Sequence, residues 1–519
     1  MSIPAAISTP VGDGYVTSMT YMRDFLRYQS PVLLSFAAAW NGNSAPDFSR
    51  PFNYLDLGCG EGVTTVMLAA AYPHATFVGV DVNEEHIQNA RDLAAQAGLT
   101  NLTFIVATFD AFSKDCTLEF NYIAAHGVYS WVSETVAQSL IDTVDTLLAP
   151  AGLFYFCHYV RPGAGKMETL FYLLSELRGA YPDDIEADIK SAVKQAQMLD
   201  KQGYPLFKRY PSLRGDLEEL LGRDSRYLVH EFCNDHFNPR FFHEVVKTMD
   251  SIGLEFAGSP ILERSSGLNL LTAEHQEELS NLSGAALQSR ASILSHELFR
   301  WDVFQRQNSS PDHQISFDDF SIASTVFPYA YPAEAQLVRQ NINLDTAAFR
   351  FILEQTQQGV HRIKDIKLAA TTTDISEDQI DIAIQNACAA RLFQPVAISP
   401  NLPQAFSQTT YQLASKASQA VWERDFHAEG RSAYVSDVLG SAFTVSKFDG
   451  LALQWMHGQK PREGLRHLAE ELLSYSAKKL KKNGFKAKFT KEEFEKKSTQ
   501  FLSQKLPLYV KYGLLKSQK

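Results

Sequence analysis

The chain has 519 residues, of which 45% are hydrophobic and 21% charged, too apolar for a disordered or fibrous protein and long enough for about three to five cores. Its formal charge of −11 argues against broad electrostatic binding to nucleic acid, which needs surplus Lys and Arg to replace phosphate counterions. The charge is partitioned, since residues 478–519 hold thirteen Lys against three Glu and leave the remainder strongly acidic.

Along the chain, residues 53–159 alternate short apolar runs with longer helical periods, the pattern of a parallel sheet covered by helices. Five buried strands are expected at 54–57, 77–81, 102–106, 122–125 and 153–158, each continuously apolar. Asn83, followed by Glu84 and Glu85, and Ser133, followed by Glu134, read as helix N-caps with acid at the positive helix end. Residues 167–198 read as amphipathic helix, broken by Gly203, Pro205 and Pro211. Linkers are expected at 308–311 and 395–403. Between them, helices at 363–370 and 377–391 around a Thr-rich turn, then a strand at 392–396, are compatible with a winged helix. The expected division is 1–180, 181–310, 311–403 and 404–519. In the tail, Lys478, Lys479, Lys481, Lys482, Lys486 and Lys488 alternate with Phe485, Phe489, Phe494 and Phe501. This suits a packed amphipathic helix with a solvated basic face, or a patch for an acidic protein, nucleic acid or anionic lipid.

The five cysteines, Cys59, Cys116, Cys157, Cys233 and Cys388, form no C-x-x-C pair for zinc or dithiol chemistry and read as reduced thiols of a cytoplasmic protein. The N-terminus has no basic stretch leading into an apolar run, and no segment approaches the roughly 20 apolar residues of a membrane span. Neither a signal peptide nor a membrane span is expected. His230, Glu231, Cys233, His236 and His243 have metal-ligating chemistry, but position 234 is Asn where H-E-x-x-H requires His. They read as structural, and no metal is expected.

The chemistry begins at Asp56-Leu57-Gly58-Cys59-Gly60-Glu61-Gly62, where an apolar strand enters a loop with glycine at every second position and then a helix. Backbone without Cβ can turn tightly and let a ligand lie against the main chain, while the helix presents free N–H groups. Nineteen residues after Gly62 comes Asp81, at a strand end where a carboxylate can hold both hydroxyls of a ribose. The spacing is G-x-G-x-G, not the G-x-G-x-x-G of nicotinamide dinucleotide folds.

This loop and its two acids resemble motifs I and II of class I S-adenosylmethionine-dependent methyltransferases. The resemblance implies an α/β Rossmann-like methyltransferase domain followed by mostly α-helical domains, with S-adenosylmethionine as cofactor. It implies that Asp56 and the backbone of Gly58, Cys59, Gly60 and Gly62 hold the methionine moiety, that Asp81 and Val82 meet the ribose, and that Thr108, Phe109 and Asp110 frame the adenine. His126 is either a further cofactor contact or a base. Residues 120–132, 227–245 and 300–304 are similar to bacterial methyltransferases with a methyltransferase regulatory domain, the group containing the rickettsial-type protein lysine methyltransferases. That likeness implies lysine methylation of a protein substrate and a homodimer. Two departures stand near the expected acceptor site. Cys157-His158-Tyr159 replaces the relatives' Ser-Tyr-Asn, and Pro162-Gly163-Ala164 replaces Pro-Gly-Trp.

Methyl transfer from a sulfonium is an in-line displacement, so the protein mainly aligns a neutral lone pair with the methyl group. Tyr129 and Trp131 after the fourth strand are placed to line an aromatic channel that attracts a cationic amine. The expected transfer site is His126, Tyr129 and Trp131, with His158 and Tyr159 opposite, although such a cluster also serves as strand-end packing. Two other readings remain: methylation of a small molecule, and a cofactor-binding regulator that uses winged-helix modules on DNA. Against the regulator, 377–391 carries Glu377, Asp378 and Asp381 with only Arg391, where a recognition helix needs basic residues.

Overall fold

The computed structural model describes residues 14–16, 19, 24–265, 268–307, 314–325, 331–337, 341–359, 361–398, 411–425, 431–474 and 490–517. The expected linker at 308–311 and the tail lysines from Lys478 to Lys488, with Phe485 and Phe489, lie outside them.

The continuously apolar runs form the centre of a seven-stranded sheet. Its strands are β1 (Asn53–Leu57), β2 (Thr76–Asp81), β3 (Leu102–Val106), β4 (Phe120–Ala125), β5 (Leu148–Tyr159), β6 (Leu254–Gly258) and β7 (Phe299–Arg306). Their order is β3-β2-β1-β4-β5-β7-β6; the first five are parallel, and β7 runs antiparallel to both β5 and β6. The region expected to be helical thus also supplies the last two strands.

Helices α1 (Pro31–Trp40), α2 (Val63–Ala71), α3 (Glu84–Ala97), α4 (Phe109–Asp115) and α5 (Glu134–Leu147) surround the parallel half. The expected caps form. The Asn83 side chain accepts from the Glu85 and His86 N–H groups, and Ser133 accepts from that of Val136. Side chains alternate across each strand, so Tyr54, Phe77, Tyr122 and Tyr155 enter one core while Leu55, Val78, Ile123, Phe154 and Phe156 enter the core on the other face.

Beyond β5 come α6 (Gly165–Leu177), α7 (Ile185–Lys201), α8 (Pro205–Arg209), α9 (Leu213–Leu221), α10 (Ser225–Phe232) and α11 (Phe242–Asp250). Helices α6 to α10 share a core with Trp131. Gly163 approaches the Glu297 carbonyl so closely that a Cβ would collide with it, which brings the chain after β5 against the turn before β7.

Further on, helices Ile363–Ala370 and Glu377–Ala389 form as expected, and strand Phe393–Val396 pairs antiparallel with Ser321–Ser324. Residues from this region, among them Ile363, Ile380 and Phe393, join the same core as Tyr54 and Phe77. Phe494 and Phe501 enter a separate C-terminal core with Tyr434 and Leu453. Helix Lys416–Asp425 lies along α3, where Arg424 donates to the Asn89 carbonyl at 2.8 Å and to Gln96 at 3.1 Å. Among the described residues no helix is long and apolar enough to cross a membrane.

One polar network is sealed between β5, β7 and the helix Gly284–Ser295. Asp302, fully buried, accepts from the Arg300 guanidinium at 2.7 Å and lies 2.9 Å from His158 Nε2. Arg300 also donates to Glu297 at 2.6 Å and to Gln288 at 2.9 Å, and its guanidinium stacks 3.9 Å from the Phe242 ring centroid. Removing one partner strands a desolvated charge. Asp302→Ala is therefore expected to cost about 3–5 kcal/mol, seen as a lowered melting temperature in calorimetry; an unchanged transition would contradict the network's structural role.

Candidate active site

At the carboxyl ends of the parallel strands a cavity of about 1180 Å³ opens. The strand order reverses between β1 and β4, and such a switch point leaves a crevice where the adjoining loops diverge. Larger than many single-ligand pockets, it has room for two molecules side by side.

The glycine loop forms one end. Gly58, Gly60 and Gly62 take φ values of +74°, +53° and +70°, a region that side chains disfavour. A Cβ on Gly58 would stand 2.5 Å from Val128 Cγ2 and one on Gly62 2.5 Å from the Phe104 ring, whereas one on Gly60 would meet none of the described residues within 4 Å. The outer two glycines thus permit packing, and Gly60 leaves bare backbone at the cavity wall. Asp81 holds this backbone in place: one carboxylate oxygen accepts from the Gly60 N–H at 2.9 Å and the other from the Asn83 N–H at 2.9 Å. His86, at the first turn of α3, stands 3.4 Å from the same carboxylate.

Beneath the loop lies Asp56, 3% exposed, accepting a 2.6 Å hydrogen bond from the Thr65 hydroxyl. Burial pushes its carboxyl up to about 7, against the Thr65 hydrogen bond and with help from the negative charge of Asp81. Val82, Thr108, Phe109 and Asp110 line the adjoining wall. Bare backbone at Gly60, flanking carboxylates at Asp56 and Asp81, and a neighbouring slot suit the amino-acid, ribose and base parts of S-adenosylmethionine.

Of the five residues expected to act in transfer, His126, Trp131 and Tyr159 line the cavity; Tyr129 and His158 do not. The reason is the alternation along β5. Tyr155, Cys157 and Tyr159 share one face: the Tyr155 hydroxyl lies 2.8 Å from His126 Nδ1, and the Cys157 sulfur accepts from the Gly127 N–H at 3.1 Å. Phe156 and His158 take the other face, where His158 meets Asp302 and Tyr129 packs edge-on against Phe156 at 5.4 Å with Arg240 stacked over its ring. His158 and Tyr129 are thus corrected from channel residues to residues of the opposite core. Burial lowers His126 to about 4, so the imidazole is neutral at pH 7.

The far wall contains residues that the linear pattern did not assign to it. Tyr15, His230, Glu231 and Phe299 line it together with Trp131 and Tyr159. His230 Nε2 lies 3.0 Å from the Met19 carbonyl and so carries the hydrogen, which leaves Nδ1 to accept from the Tyr15 hydroxyl at 3.3 Å. Glu231 adjoined the histidines in sequence, but only the fold shows that it and His230 face the cavity while Cys233 is buried in the helical core. Among the described residues no three His, Cys, Asp or Glu side chains converge as a metal site.

Residues 49–209 match the methyltransferase domain family, and residues 224–306 match a predicted methyltransferase regulatory domain. The chain is 24% identical over 511 residues to an uncharacterized protein of Synechocystis sp., spanning 97% of this chain and 99% of that one. It is 26% identical over 137 residues to a malonyl-(acyl-carrier protein) O-methyltransferase of Ilyobacter polytropus, spanning 26% of this chain and 48% of that one. The structure superposes on PKMT2 from Rickettsia typhi in complex with AdoHcy with a TM-score of 0.69 at 17% identity, covering 95% of this chain and 99% of that one. That last likeness is one of fold.

Two outcomes follow from this geometry. Asp56 is charged above about pH 7 and neutral below it, so calorimetric affinity for S-adenosylhomocysteine, which carries an ammonium group, should weaken as pH falls from 8 to 6, by at most about tenfold per unit. Asp56→Asn should flatten that dependence. Tyr129→Phe should leave turnover within about twofold, whereas Tyr129→Ala opens a core cavity costing about 3–5 kcal/mol, measured by thermal melting; a large turnover defect in Tyr129→Phe would return Tyr129 to the channel.

Proposed function

We propose that this chain, an S-adenosylmethionine-dependent methyltransferase carrying a methyltransferase regulatory domain, methylates lysine side chains of a protein substrate. The observation that carries this reading is the charge of the cavity: among the described residues its lining holds eight carboxylates and one lysine, Lys114. Such a lining disfavours phosphate-rich or carboxylate acceptors and favours a cation. The aromatic wall of Trp131, Tyr159 and Phe299 suits an alkyl stem ending in a positive charge. The near full-length fold likeness to PKMT2 of Rickettsia typhi, a rickettsial protein lysine methyltransferase, supports the same acceptor.

In this reading Asp56 and the backbone of Gly58, Cys59, Gly60 and Gly62 hold the methionine end of the cofactor. Asp81 and Val82 hold its ribose, and Thr108, Phe109 and Asp110 frame its adenine. Bound S-adenosylmethionine supplies an activated methyl group on a positively charged sulfur. When bound, it would pass that methyl group to a neutral amine, the acceptor having released its proton to solvent and the sulfur keeping the electron pair of the broken carbon–sulfur bond. His126, neutral and hydrogen-bonded to Tyr155, lines the cavity and is not the store of that proton. Trp131 and Tyr159 confine the acceptor stem, and alignment of this kind can supply several kcal/mol of the barrier.

The reading takes a protein and a second copy of the chain as partners and the cytoplasm as location. All five cysteines are free thiols, which supports a reducing compartment. The test is to incubate the purified chain and methyl-labelled S-adenosylmethionine with extract of its source cells, then hydrolyse the labelled fraction. Label recovered as N-methyl-lysine from protease-sensitive bands is the expected result. Label confined to small molecules would replace the lysine reading with metabolite methylation.

A further inference from the structure

At the glycine-loop end of the cavity, one buried polar side chain lacks a hydrogen bond. His86 stands in the first turn of α3 and is 2% exposed, yet neither ring nitrogen has a hydrogen-bond partner among the described residues. Nδ1 lies 3.4 Å from an Asp81 carboxylate oxygen, close enough for attraction between charges but long for a hydrogen bond. Leaving a buried donor or acceptor unsatisfied is costly, so an apolar side chain would serve packing better at this position. The ring is nevertheless among the groups that line the cavity.

The backbone fixes where it stands. The Asn83 side chain accepts from the N–H groups of Glu85 and His86, which starts α3 directly after β2, and the next residue, Ile87, is anchored in the core. His86 is thereby held beside the carboxylate that ends β2. One oxygen of that carboxylate accepts from the Gly60 N–H and the other from the Asn83 N–H. A carboxylate offers about four lone-pair positions, so Asp81 keeps acceptor capacity toward the cavity. Charge supports the pairing. Burial works against protonation of His86, but Asp81 first, then Glu61 and Glu85, outweigh it and raise its pKa above the ordinary histidine value. The ring carries at least one N–H in either state and two when protonated.

A carboxylate with spare acceptor capacity and an imidazole without a partner, side by side at a cavity wall, match a hydroxyl, which donates one hydrogen bond and accepts others. An aliphatic group would leave the imidazole unsatisfied, and a phosphate or carboxylate would be repelled by Asp81. We propose that His86 is a second ribose-binding residue, which together with Asp81 meets the sugar hydroxyls of the cofactor and makes the site select a ribose over a deoxyribose. The proposal rests on the reading that places the ribose at Asp81 and adds to it a residue that the strand-end spacing did not assign.

The probes are S-adenosylhomocysteine and its 2′-deoxy and 3′-deoxy counterparts, titrated by calorimetry into the full chain. The wild-type protein should prefer the ribose form over at least one deoxy form by about tenfold or more, the scale of a hydrogen bond to a charged group. His86→Leu should weaken the ribose form by about three- to tenfold, leave that deoxy form within about twofold, and so shrink the preference by the same factor. His86→Gln, which again offers a donor and an acceptor, should keep more of the preference than His86→Leu. An equal loss of affinity for all three ligands in His86→Leu overturns the proposal by making His86 a packing residue of the loop, as does a preference unchanged in both variants. A wild-type protein that binds all three ligands alike overturns it together with the ribose role of Asp81. A preference lost in Asp81→Asn but kept in both His86 variants removes this proposal alone.

Discussion

Successive side chains of β5 point to opposite faces of the sheet, and this alternation decides which residues can meet a ligand. The strand is held on both edges, by β4 in parallel and β7 in antiparallel register, so a slip by one residue would exchange its entire set of contacts. In the observed register Tyr155, Cys157 and Tyr159 share one face, and Tyr159 lines the cavity. His158 is directed into a sealed network with Asp302 and Arg300 instead. The residues that shape the far wall of the cavity and those that lock the strand are therefore neighbours in sequence with opposite duties.

The same register explains why the region after β5 belongs to the site. Phe299 faces Tyr159 across the β5–β7 pair, which puts the first aromatic side chain of β7 at the cavity. Gly163 passes against the Glu297 carbonyl, and the chain after α10 hydrogen-bonds to the loop after β4. Movement of the matched regulatory region would carry His230, Glu231 and Phe299 with it. The contacts between that region and the cavity wall are direct and need no relay through the core.

At the opposite end, electrostatics and backbone shape act together. Asp81 orders the loop through the Gly60 N–H, and burial holds Asp56 near the midpoint of its titration around neutral pH. Two carboxylates beneath a cavity whose described lining has one lysine create a field that favours positive charge on the ligand. The C-terminal modules brace this end from outside, through Arg424 on the carbonyl of Asn89 in α3 and the Ser30 hydroxyl on the Gly440 carbonyl.

The linear pattern determined the parallel half of the sheet, the caps at Asn83 and Ser133, the glycine loop and its two acids. These depend on local chemistry: continuous apolar runs, side-chain acceptors ahead of a helix, and backbone that tolerates positive φ. The placement of Tyr129 and His158 away from the cavity was decided by the register of β5, which pairs it with a strand more than 140 residues later in the chain. The recruitment of Tyr15, His230, Glu231 and Phe299 likewise required the tertiary structure, because Tyr15, the His230–Glu231 pair and Phe299 lie far apart in sequence and α10 carries polar residues on faces that periodicity alone cannot distinguish. Local sequence specifies what an element is and where its turns fall, whereas long-range pairing and packing determine which of its faces meets a ligand.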